Sequence, residues 1–225
     1  MAELPALLQL ASAALPIGGF GYSGGLEAAL EARFVHDEAS AGTWISAMLE
    51  QVWAHGEARH WVRLQRAFAS DDVEAFAIAN TLALAMRETT ELRLESEQTG
   101  RSLVLWLLAL PTTRLNLAQR NQLSGLRPIA HVSAHAAAAC ALGLDPVSGL
   151  HALGWSLLEN LAIAAVKLVP LGQDAGQRLL QHNASRLPEV IGTALHDAAP
   201  PSNFAPMLAM LSSLHETQYT RLFRS

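Results

Sequence analysis

Residues 7–31 read LLQLASAALPIGGFGYSGGLEAALE, and whether the glycines in their middle follow a β-strand or a helix decides the fold. An apolar run stops at Pro16, then Gly18, Gly19, Gly21, Gly24 and Gly25 fall within eight positions, and a strong helix former resumes at Leu26. Gly19-Phe20-Gly21-Tyr22-Ser23-Gly24 matches G-x-G-x-x-G, a backbone path that can approach a pyrophosphate at a helix N-terminus. Gly21-Tyr22-Ser23-Gly24-Gly25 also matches G-x-S-x-G, the strained turn that presents a hydrolase serine. Both motifs need a strand directly upstream. Residues 7–15 do not supply one, because their apolar positions do not alternate and Ala, Leu and Gln dominate them. What remains is a loop between helices, with Ser23 as the N-cap of the next helix and Glu27 in its first turn.

The rest of the chain agrees with a helical reading. Ala and Leu dominate, β-branched residues are sparse, and no sustained period-two segment occurs. The pattern predicts a short helix over 26–34, then one capped by Asp37 or Ser40 with Trp44, Ile45, Met48, Leu49, Val52 and Trp53 as its core stripe. Ser70 and Asp71 mark a further start, and the apolar run 103–110 ends at Pro111. An Ala-rich helix spans 129–142, Gly143-Leu144-Asp145-Pro146 is a stop and restart, and 151–169 is the longest unbroken helical pattern. Helices over 173–181 and 187–196 follow before Pro200-Pro201. The expectation is an all-α, single-domain helical bundle: residues 1–199 form its body, and 200–225 add a last helix and a docking tail.

With 225 residues, 51% of them hydrophobic and only 16% charged, the chain can build one large core and still has apolar surface for another chain to cover. A net charge of −5 gives no footprint for nucleic acid or an anionic membrane. Cys140 is the single cysteine and is read as a small core residue without a disulfide. Arg, His, Asp or Pro interrupts every run that approaches the roughly 20 apolar residues of a membrane span. Ala11-Ser12-Ala13 imitates a signal-peptide cleavage site, yet Glu3 stands where a positive n-region belongs and the first basic residue is Arg33. The expected setting is cytoplasmic and soluble.

Few residues offer chemistry. His131 and His135 lie four apart on a helix and could grip one metal ion, but Val132 replaces the glutamate of H-E-x-x-H and no third ligand is near in sequence. Residues 87–101, RETTELRLESEQTGR, break the apolar habit and space Arg87/Glu91 and Glu97/Arg101 as i,i+4 pairs on a solvated face. Lys167 is the only lysine and complements the C-terminal end of its helix, with Asn160 seven residues earlier on the same face. The C-terminus first shows an apolar stripe, Phe204, Met207, Leu208, Leu211 and Leu214, and then interleaves Tyr219 and Phe223 with Arg221 and Arg224, residue types enriched in interfaces.

Four separated stretches, in order, resemble the UreF family of urease accessory proteins. They are PIGGF with S-x-GLE from Pro16 to Glu27, RETTELRLESEQTGRSL at 87–103, the region from Asn160 to VKLVPLGQ, and the closing HETQYTRLFRS. Gly24 departs from the family habit of a larger polar residue. The resemblance implies an all-helical homodimer, not an enzyme, with no cofactor of its own, since nickel and GTP are handled by partner proteins. Its implied partners are the D/H-type accessory protein, the G-type GTPase accessory protein and apo-urease. On this reading Tyr219, Arg221, Phe223 and Arg224 form a tail that orders on the D/H-type protein. Lys167, Asn160, Tyr22 and Glu27 form the face that receives the GTPase. The competing expectations are a serine hydrolase built on Ser23 and a metal-binding module built on His131 and His135.

Overall fold

The computed structural model describes residues 3–111, 113–196, 199–202 and 205–224, and no strand occurs among them. Helix α1 is Glu3–Ala11, and a loop with one 3₁₀ turn leads to α2, Leu26–Glu31. Then come α3 (Glu38–Ala47, prolonged by π-type turns to Trp53), α4 (Glu57–Ala69), α5 (Val73–Ala85) and α6 (Thr90–Ala109). The second half holds α7 (Leu117–Gly125), α8 (His131–Leu142), α9 (Pro146–Leu168), α10 (Gln173–Ala184), α11 (Leu187–His196) and α12 (Pro206–His215).

Two central helices organise the packing. The alanines of α8 are buried, so α4 and α6 can close on it from two sides with little side chain between backbones. At Gly100 of α6 the approach is so close that a Cβ would strike the carbonyl oxygen of Ile129 and lie 2.7 Å from the carbonyl carbon of Ala130. Helix α9 is the second centre, with α1, α10 and α11 against it. By length and composition α9 could cross a membrane, which the sequence reading did not anticipate; 56% of its most apolar window is buried inside the bundle, as a core helix requires.

Caps explain where the helices begin. Asp37 and Ser40 form a reciprocal capping box on α3, and Asp145 accepts from Val147 N and Ser148 N to start α9 with Pro146 in its first turn. Asp72 rather than Ser70 or Asp71 caps α5, because Asp71 takes a left-handed backbone with φ 56°. Helix α8 has no cap of its own. Neighbouring helices satisfy its start instead: Ala130 N donates to Asn80 Oδ1 on α5 at 2.9 Å, and His131 N donates to Ser96 Oγ on α6 at 3.2 Å.

Two sequence expectations need correction here. The charged segment 87–101 and the apolar run 103–110 are largely one helix, α6, which presents Leu92, Ser96, Thr99 and Gly100 to the core. Arg87 precedes that helix and pairs with Glu57 across to α4, so the proposed Arg87/Glu91 pair does not form; Arg93–Glu97 is the i,i+4 pair observed. The buried stripe of α12 is Leu208, Leu211, Ser212 and His215, whereas Met207 and Leu214 are exposed and Phe204 lies outside the described residues.

Candidate functional site

The glycine loop earns its composition at three positions. Gly18, Gly24 and Gly25 all have positive φ, and a Cβ at Gly25 would sit 2.5 Å from Leu208 of α12. Gly25, not Ser23, occupies the N-cap of α2. Ser23 lies fully buried two residues earlier, and its Oγ accepts from Glu27 N at 3.2 Å. A serine so enclosed, with no strand before it, cannot present a nucleophile to substrate, which removes the physical basis of the hydrolase reading.

Around this loop the structure gathers residues from three distant parts of the chain. Asn160 on α9 donates from Nδ2 to the carbonyl of Tyr22 at 2.9 Å. The Tyr22 hydroxyl donates to Gln98 of α6 at 2.8 Å; burial pushes its pKa up, partly offset by a hydrogen bond with Arg224. Arg224 N donates to Gly21 O at 2.9 Å. Phe223 is buried, and Lys167 Nζ stands 5.5 Å from its ring centroid. Glu27, only 6% exposed, accepts from Leu222 N at 2.6 Å and Phe223 N at 2.8 Å. Arg221 pairs with Glu91 at 2.5 Å, while Tyr219 is fully exposed.

In the structure the tail lies on the chain's own opening loop. Beside it opens a cleft of about 170 Å³ lined in part by Ile17, Phe20, Leu157, Asn160, Ile163 and Leu208. The segments that meet here carry exposed apolar side chains, Phe20 in the loop, Met210 and Leu214 on α12 and Leu222 in the tail.

The sequence pattern of UreF matches residues 35–184. The chain belongs to the UreF family. It is 43% identical to the urease accessory protein UreF of Polynucleobacter asymbioticus, over 99% of this chain and 97% of that one. It is 46% identical to the urease accessory protein UreF of Bordetella bronchiseptica, over 97% of this chain and all of that one. A bifunctional urease accessory protein UreEF, also from Bordetella bronchiseptica, is 47% identical across 99% of this chain and 52% of its own length.

In this UreF-family chain the two helical histidines serve the core. His135 Nδ1 accepts from Trp61 Nε1 at 3.1 Å, so one of its nitrogens is taken. Burial drives both rings toward the neutral form, His131 to about 4 and His135 well below its ordinary value, with Arg87 and His131 respectively adding to the push. Among the described residues no group of three His, Cys, Asp or Glu side chains could hold a metal ion. Burial also raises the Cys140 thiol to about 11, which suits an inert packing residue.

The sequence reading missed Glu91, Gln98 and His215 as members of the cluster. A signal existed for His215. It continues the spacing of Leu208 and Leu211 on the buried side of α12, and an ionisable group on such a stripe requires a buried partner. Nothing local in sequence says that the partners are Glu27 and Glu91.

Proposed function

We propose that this protein is a homodimeric, non-catalytic scaffold of urease maturation. In the cytoplasm it holds the D/H-type accessory protein and the G-type GTPase against apo-urease, so that GTP-dependent nickel insertion can proceed with nickel and GTP bound by the partners. The observation that carries the reading is convergence: Tyr22 and Glu27 from the loop, Asn160 and Lys167 from α9, and Arg221, Phe223 and Arg224 from the tail meet on one face. The rim of that face exposes apolar side chains and the whole of Tyr219, the composition that protein interfaces favour. The UreEF relative, which joins two accessory units in one chain, is in keeping with work inside an accessory complex.

The tail and the exposed row of α12 (Met207, Met210 and Leu214) are assigned to the D/H-type protein, and the Lys167 side of the face to the GTPase. Ending the chain after Gln218 keeps α12 and removes the aromatic and basic tail. On co-expression and size-exclusion chromatography the shortened protein should lose the D/H-type partner while its helical circular dichroism is unchanged. Normal co-elution of the truncated chain with that partner would overturn the assignment.

A further inference from the structure

The tail is held by charges from three directions. His215 ends α12 with its side chain 1% exposed, and both ring nitrogens meet carboxylates: Nε2 lies 3.2 Å from Glu27 Oε2 on α2, and Nδ1 lies 2.6 Å from Glu91 Oε2 on α6. Each carboxylate then reaches the tail. Glu27 accepts the N–H groups of Leu222 and Phe223, and Glu91 accepts from Arg221. The other charged neighbours stand at the margin: Glu216 accepts from the Glu91 N–H at 3.2 Å, and Lys167 faces the Phe223 ring.

A neutral imidazole has one donor and one lone pair, so one of the two carboxylates would confront the lone pair. The imidazolium donates to both. With it, two negative carboxylates are matched by two positive groups, His215 and Arg221; without it, one buried negative charge is unmatched, and such charges are costly.

We propose that His215 and Glu91 are positioning residues, an ionic latch that fixes residues 221–224 against the glycine loop and so sets the tail for its partner. The partner half of this statement rests on the reading given under Proposed function; the latch itself does not. Removing the cation by substitution releases the segment.

Hydrogen exchange of the full-length protein, followed by mass spectrometry on the C-terminal peptide, tests it. His215→Gln should speed exchange at Leu222 and Phe223 by roughly ten-fold or more, as expected when charge-assisted bonds are lost, while peptides from α8 and α9 stay protected. Arg221→Ala, at a half-exposed position that leaves α12 intact, should loosen the same amides to a smaller degree. Unchanged protection in both variants would refute the latch. If the amides are released in His215→Gln and the D/H-type protein still co-elutes, the latch stands and the tail-docking assignment falls.

Discussion

Asn160 and Lys167 share a face of α9 but act by different physics. Asn160 gives a hydrogen bond to the carbonyl of Tyr22, a buried residue of the glycine loop. Asn160→Ala strands that acceptor and should cost about 1–2 kcal/mol in urea unfolding. Lys167 is exposed, and its contact is with the face of the Phe223 ring. Lys167→Met should cost only about 0.5 kcal/mol, the scale of an exposed cation–π contact. Lys167→Glu should nonetheless weaken recovery of the G-type GTPase, because it reverses the charge at an exposed point of the proposed face. An unfolding midpoint that falls as far for Lys167→Met as for Asn160→Ala would show that the lysine is structural instead.

At the level of elements, the close crossing of α6 over the start of α8 is the contact least able to adjust. Gly100 meets backbone atoms of Ile129 and Ala130, not a side chain that could rotate away. Gly100→Ala should therefore destabilise the protein by at least about 2 kcal/mol, despite alanine's better helix propensity. A midpoint in urea that rises on substitution would mean that the helices separate freely there. The sequence disclosed most of these helices because capping residues and apolar spacing are local: Asp37, Asp145 and Gly143 mark boundaries that the structure keeps. It disclosed less where a cap is supplied from elsewhere in the chain. Ser96 and Asn80 complete α8 from helices 35 and 50 residues away in sequence. The site was legible in the same uneven way. Residue types named Tyr22, Glu27, Asn160, Lys167 and the tail one by one, but their assembly into a single cluster depends on long-range packing. The cluster's central members, His215 and Glu91, look locally like a helix end and a surface acid.

On the scale of the whole molecule, the buried histidines tie stability to pH. His60, His131 and His135 are all held toward the neutral form by burial, and His131 falls to about 4. An unfolded chain takes up protons at these rings from an ordinary value near 6.5 downward, while the folded one resists, so the unfolded state binds more protons in that interval. Stability is then at its plateau above about pH 6.5 and is lost as pH falls toward 4, with His131 alone contributing up to ~3 kcal/mol. Asp37, Glu38 and Asp145, held below the usual carboxylate range by their hydrogen bonds, lose their contributions further into acid, so the two groups separate on the pH axis. Urea midpoints taken across this range should fall steadily, and His131→Met, which cannot titrate at that position, should flatten the slope. A midpoint constant from pH 6.5 down to 4 would mean that the histidine cavity opens to water before the bundle does. The core thus weakens in acid because desolvation excludes the proton from His131 and His135 on α8 and from His60 on α4.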